Sequence, residues 1–216
     1  MSQTTCGVAA AAGMLLALLL AVASVASDAA PADRGPSQVV ERLHASLLEC
    51  MRNAESLGYQ GRYRELAPTL EELFDLPFMA QKAVGRHWKT ASPEDQHRLV
   101  DTFSRYTVSN YAGRFDGFSG QSFETIGAQP STRGTVLVRT QLIDPEGDDV
   151  KLDYRLRETD GRWRIIDVYL NGTVSELALR RAEYSSLIKR EGFEGLLLAL
   201  DERIDEMAAA PADQAS

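Results

Sequence analysis

Between Thr135 and Leu170 polar and apolar residues alternate in the manner of paired strands. Val150, Leu152, Tyr154 and Leu156 are apolar, and Lys151, Asp153, Arg155 and Arg157 fill the positions between. This period of two predicts a strand with one dry face and one wet face. Ahead of it, Thr135 to Ile143 is rich in β-branched residues, with Val136, Val138 and Leu142 alternating, and runs into the loop signal Asp144-Pro145-Glu146-Gly147. Behind it, Thr159-Asp160-Gly161 predicts a tight hairpin with glycine where a positive φ is needed, and Arg162 to Leu170 supplies a third strand. With an edge strand over Ser122 to Ile126, the pattern predicts an antiparallel meander of about four strands. A sheet with one apolar face must be covered, so an α+β domain with a helical layer over the sheet is expected.

The remaining pattern has helical spacing. Ser37 is placed as the N-cap of a first helix whose apolar side is Val39, Val40, Leu43, Leu47, Leu48 and Met51, with Gly58 ending it. A short helical piece covers Arg62 to Leu66. Pro68 restarts a helix that carries Leu70, Leu73 and Phe74, and Asp75-Leu76-Pro77 breaks it before a short helix from Phe78 to Val84. Ser92-Pro93-Glu94-Asp95 combines a capping serine, a proline in the first turn and two acids, which predicts a long helix to about Phe115. Its stripe is Leu99, Val100, Phe103, Tyr106, Thr107 and Tyr111. After the sheet, helices are expected over Val174 to Ile188 and Phe193 to Met207, with Gly192 between them.

Composition adds the outer limits. The chain has 216 residues, 44% hydrophobic and 25% charged, with a net charge of −8. That suits one domain, and the acidic balance argues against a nucleic-acid partner. From Val8 to Val25 the sequence is almost all Ala, Leu, Val and Met, with small residues at Ala23, Ser24, Ala26 and Ser27. The reading is an export signal over residues 1–27, with an uncleaved membrane anchor as the alternative. A linker over 28–36, a domain over 37–207 and a disordered tail over 208–216 complete the organisation. Cys6 lies in the export segment, so Cys50 has no disulfide partner in the domain.

Catalytic and metal chemistry find little support. His44, His87 and His97 fall in three different elements without ligand spacing, which reads as surface or capping histidines and no metal site. No cofactor motif is present. Asp75, between Phe74 and Leu76, either caps the following helix or serves as an acid, and Asp167 is a second candidate acid. The apolar stripes are either packed core or the lining of a ligand cavity. Arg180 and Arg181, close to Tyr184, either pair with surface acids or contact an anionic headgroup or a partner.

The order of motifs narrows these choices. Phe74-Asp75-Leu76-Pro77, Gly85-x-x-Trp88, the Ser92-Pro93-Glu94-Asp95-Gln96 helix start, Leu152-Asp153-Tyr154, Trp163 with Asp167 and Val168, and Arg181-x-x-Tyr184 before Gly192 resemble the MlaC or toluene-tolerance family of periplasmic phospholipid-binding proteins. Arg62-Tyr63, Arg105-Tyr106-Thr107-Val108 and Phe115-Asp116-Gly117-Phe118-Ser119-Gly120 look most like HpnM, its hopanoid-biosynthesis-associated branch. The resemblance implies an MlaC-like fold, NTF2-like in outline, that encloses lipid between helices and sheet. It also implies a monomeric, non-enzymatic shuttle between an outer-membrane lipoprotein and an inner-membrane ABC transporter with an MCE-domain subunit. The cargo it implies is a phospholipid, or alternatively a hopanoid. The residues expected to line the cavity are Leu73, Val84, Leu99, Phe103, Tyr106, Phe115, Val138, Leu142, Leu152, Tyr154, Leu156, Val168, Leu196 and Leu200. Two acyl chains exposed to water cost on the order of 20 kcal/mol at about 0.8 kcal/mol per methylene, so a dry cavity near or beyond the top of the usual range of about 300–1,000 Å³ is expected. A lipid-modifying enzyme and a solidly packed assembly factor are the rival classes.

Overall fold

The computed structural model describes residues 35–210, so the export segment, the linker as far as residue 34 and the tail from residue 211 lie outside the described residues. Helices α1 (Pro36–Arg52), α2 (Ala54–Leu73), α3 (Leu76–Val84) and α4 (Pro93–Arg114) come first. Strands β1 (Ser122–Pro130), β2 (Val136–Ile143), β3 (Val150–Thr159), β4 (Arg162–Leu170) and β5 (Val174–Ser175) follow, and α5 (Glu176–Ala209) ends the fold. The sheet is an open antiparallel meander in the order β1-β2-β3-β4-β5. The α+β class is as expected. The fifth strand is a two-residue pairing of Val174 and Ser175 with Leu170 and Tyr169, too short to leave a periodic signal.

Several boundaries move for identifiable reasons. The first helix is capped at Gly35 with Pro36 at its first position, not at Ser37, because proline's fixed φ and missing N–H suit that site. It ends at Arg52, where the Asn53 side chain donates to the Glu49 carbonyl. Gly58, expected to end it, breaks the opening of α2 instead, at φ 57° and ψ 179°. That helix then runs unbroken through Arg62 and past Pro68, which lies at an exposed position of the helix. Strand β1 continues beyond Ile126 because a bulge there resets the register, pairing Thr125 with Thr140 and Gly127 with Arg139. Gly192, at φ 76°, interrupts α5 where two helices were expected. Asp160 and Gly161, both at positive φ, close the β3–β4 hairpin. The helix reaches Ala209, so the first two residues of the expected tail are ordered as its last turn. Among the described residues no helix is long and apolar enough to cross a membrane.

The helices cover one face of the sheet. Val39, Val40, Leu43 and Leu47 of α1, Leu66, Leu70 and Leu73 of α2 and Leu99 and Phe103 of α4 are buried with Val138, Tyr154, Leu156 and Ile165 from the strands. Arg62 is also buried, donating from Nε to the Ala112 carbonyl at 2.8 Å and from Nη1 to the Ala54 carbonyl at 3.2 Å. The bond to Ala112 fixes the last turn of α4 against α2, and the bond to Ala54 ties Arg62 to the start of its own helix. The second face of β3 is not simply wet. Asp153 is buried against the Thr140 N–H, Arg155 stacks over Tyr169, and Arg157 reaches Asp75 at the start of α3.

Candidate functional site: an apolar cavity between sheet and helices

A cavity of about 90 Å³ opens where the C-terminal half of α4 and the first turns of α5 meet β3 and β4. Each wall follows from a local period. Thr107, Asn110, Tyr111 and Arg114 share one side of α4 at helical spacing, and Phe115 caps that helix. Leu152 and Tyr154 are alternate residues of β3, paired across the ladder with Leu170 and Val168 of β4. Glu176, Leu177 and Arg180 come from the first turns of α5, while Phe74 and Met79 close the wall by α3. Phe74 is placed there by a parallel bridge to Ile165 and by the Asp75 N–H, which donates to the Ile165 carbonyl at 2.9 Å.

Rings dominate the lining. Tyr111 stacks on Phe115 with an interplanar angle of 16°, and Phe74 meets Tyr111 edge-on at 5.7 Å between centroids. Phe115 continues the run to Phe123, on which His44 stacks at 3.9 Å. Tyr154 is bonded to His44 at 3.2 Å between Oη and Nε2. Burial pushes the hydroxyls of Tyr111 and Tyr154 well above the usual tyrosine range, so both are neutral polar points in an apolar wall. His44, expected at the surface or as a cap, is buried because α1 lies directly on the sheet. Burial lowers its pKa to about 3.

Charge enters at the α5 side. Arg180 lies over the rings of Tyr106 at 4.8 Å and Phe103 at 5.9 Å, with Tyr184 Oη at 3.4 Å and Glu176 at 3.7 Å. Burial opposes its charge, but Tyr184, Tyr106 and Glu176 outweigh that and hold its pKa above the ordinary arginine value. Arg114, on the facing helix, is exposed. The cavity therefore has hydrocarbon walls, with two guanidinium groups and the Glu176 carboxylate among its lining, Arg180 mostly covered and Arg114 in water. An amphiphile with an anionic end fits that division.

Of the residues predicted to line a cavity, Phe115, Leu152, Tyr154 and Val168 meet here, joined by Arg180. Leu73, Val84, Leu99, Phe103, Val138, Leu156, Leu196 and Leu200 lie outside this lining, buried in the packed core. Tyr106 is half-buried beside Arg180, and Leu142 is half-buried near the end of β2. Arg181 points to another flank of α5, where its guanidinium rests on Gly85. The cavity is also far smaller than the expected range of about 300–1,000 Å³. Apolar periodicity identifies side chains that leave water, and most of these satisfy one another by packing. Sequence reasoning missed Phe74, Met79, Thr107, Asn110, Tyr111, Arg114, Leu170, Glu176 and Leu177 as lining. For Thr107, Tyr111 and Arg114 the spacing of four and three residues was the available signal.

Both candidate acids have structural occupations. Asp75 caps α3 by accepting from the Phe78 N–H at 3.2 Å, and its other oxygen accepts from Arg157 Nη2 at 2.7 Å and Nε at 3.0 Å. Asp167 accepts from Ser175 Oγ at 2.6 Å and the Leu177 N–H at 3.1 Å, which anchors the first turn of α5 to the sheet. Asp75→Asn keeps the cap and loses the ion pair. It is expected to lower stability by about 1–3 kcal/mol in urea titrations while leaving any bound lipid in place. Loss of lipid from a folded variant would place Asp75 in the functional machinery. Among the described residues no group of His, Cys, Asp and Glu is arranged to hold a metal ion.

An open meander covered on one face, with an apolar cavity in the seam, defines a ligand-binding α+β domain. The profile described as MlaC protein matches residues 41–202, and the chain belongs to the MlaC family. A solved structure with this fold is the phospholipid-binding protein of Ralstonia solanacearum, determined in complex with a phospholipid. It is 24% identical, with a TM-score of 0.71 over 80% of this chain and 98% of that one. No curated protein matches this chain significantly.

Proposed function

We propose that this protein is a periplasmic lipid carrier. It binds the acyl chains of a phospholipid in the cavity between α4, α5 and β3–β4, with the phosphate near Arg114 and Arg180. It shuttles lipid between the membranes as the soluble component of an ABC transport system, exchanging with an inner-membrane MCE-domain subunit and an outer-membrane lipoprotein. The observation that carries this reading is the combination of ring and aliphatic walls with two guanidinium groups at one seam. Family membership and the phospholipid-bound Ralstonia neighbour support it, and both favour a binding protein over an enzyme. The family also supports the periplasmic setting.

At about 90 Å³ the cavity takes only about three waters' worth of volume, so lipid entry requires the walls to move apart. The acyl chain repays that movement at about 0.8 kcal/mol per methylene removed from water. A hopanoid or other polycyclic lipid is the second reading, favoured by the three aromatic rings of Phe74, Tyr111 and Phe115 in the lining, which offer apolar contact to a rigid ring system. Organic extraction of the purified protein followed by lipid mass spectrometry separates the readings. A glycerophospholipid bound in stoichiometric amount is the expected result. A polycyclic lipid without phosphate would replace the cargo and remove the role of the two arginines, and a protein that neither carries nor takes up lipid would end the carrier reading.

A further inference from the structure

The flank of α5 that bears Arg181 has an electrostatic character opposite to that of the chain. Ala178, Arg181, Ala182, Ser185, Ser186 and Lys189 line a shallow groove at helical spacing, and no acid is among them. Arg181 is held at the edge of this groove by contact with Gly85, so close that a Cβ there would meet its Nε at 2.9 Å. Lys82, Arg86 and Lys89 lie within four positions of that glycine and are exposed. Among the described residues none of these five cations forms an ion pair. The acids of α5 nearest in sequence are occupied elsewhere: Glu176 with Arg180, Glu183 with Arg203 and Glu191 with Arg190. Two apolar side chains also project from this end of the molecule, Val174 before the helix and Leu179 in its first turns, the latter 54% exposed.

We infer that this flank docks the protein on the surface of an anionic lipid bilayer, a role that rests on the carrier reading and adds the surface it works against. A chain with a net charge of −8 is repelled by an anionic membrane in most orientations. A cluster of cations without ion pairs among the described residues, Lys82 alone lying over a ring, that of Phe78, reverses that locally and selects one orientation, each cation near the surface contributing about 1 kcal/mol. A bilayer suits this surface better than an acidic protein groove would. Arg181 and Lys189 share only a shallow groove, Lys82, Arg86 and Lys89 are spread over α3 and the turn after it, and Leu179 is free to enter the interfacial region. The chosen orientation has a consequence for transfer. Glu176, Leu177 and Arg180 of the same helix turns line the cavity from the opposite side of α5, so docking by this flank places α5 itself between the membrane and the cavity.

Co-sedimentation of the full chain with vesicles of phosphatidylcholine alone, or mixed with phosphatidylglycerol, tests the inference. Binding is expected to the mixed vesicles only and to fall as salt rises. Arg86→Gln combined with Lys189→Gln, both exposed, is expected to weaken that binding roughly 30-fold, from about 1 kcal/mol for each cation. Arg133→Gln combined with Arg139→Gln, exposed residues at the hairpin and strand of the sheet, is expected to leave it unchanged. Equal binding to pure phosphatidylcholine, an unaffected Arg86/Lys189 variant, or no vesicle binding by a chain whose flank captures an acidic protein would each overturn the inference. None of these four side chains lines the cavity. The bound-lipid mass seen by native mass spectrometry therefore reports the carrier reading separately.

Discussion

Replacing Leu152 by arginine is expected to give a folded chain without bound lipid. Leu152 lines the cavity and pairs with Leu170 across β3 and β4, so its side chain stands at the seam that must part for a lipid. It is 8% exposed, against 1% for Tyr154 and none for Leu156 on the same strand. A long arginine at that edge can keep its stem on the apolar wall and carry its guanidinium toward water, which spares the fold. Bound hydrocarbon would close that route. An unpaired charge beneath an acyl chain costs several kcal/mol, enough to cancel the burial of several methylenes at about 0.8 kcal/mol each. Native mass spectrometry should show the lipid adduct of the parent chain absent from the variant, with an unchanged circular dichroism spectrum. Leu196→Ala supplies the contrast, because Leu196 is buried outside the cavity lining. It is expected to lose about 2–5 kcal/mol of stability in urea titrations while each folded molecule keeps its lipid. If Leu152→Arg retains the adduct, the hydrocarbon lies elsewhere in the fold.

The contrast between these two leucines shows what the pattern of residues conveys. The alternation in β3 and the Ser92-Pro93 cap of α4 are local signals, and the meander and the long helix follow from them directly. The bulge at Ile126 and the break at Gly58 depend on which backbone conformation the neighbours accept, so the strand and helix bounds around them moved. The cavity is less legible still. Leu196 and Leu152 carry the same side chain, each on the apolar period of its own element, and only the distance to the facing element separates a packed residue from a wall. Arg180 and Arg181 make the same point for charge. One position along α5 turns the first toward Phe103 and Tyr106 and the second toward Gly85, a choice that requires knowing which elements flank the helix. His44 was misread because its burial depends on Phe123 and Tyr154, 79 and 110 residues away along the chain.

That buried histidine makes the fold acid-sensitive in a defined window. His44 is 4% exposed and neutral, its ring stacked on Phe123 and bonded to the Tyr154 hydroxyl. Burial lowers its pKa from 6.5 to about 3. As the pH falls below 6.5 the unfolded chain takes up a proton at this residue and the folded chain does not, so the equilibrium moves toward unfolding. The contribution of His44 is complete above 6.5 and is lost progressively toward about 3. The slope approaches about 1.4 kcal/mol per pH unit, so acidification to about pH 4.5 should remove roughly 3 kcal/mol, a sizeable part of a typical stability of about 5–15 kcal/mol. Urea titrations of the parent chain and His44→Phe, both freed of lipid, isolate this term. The phenyl ring keeps the stacking and strands the Tyr154 hydroxyl, a cost that does not vary with pH across this range. The parent should therefore lose roughly 2 kcal/mol more than the variant between about pH 6.5 and 4.5. Parallel pH profiles would mean that His44 is protonated within the folded protein, with α1 standing away from the sheet behind the cavity wall.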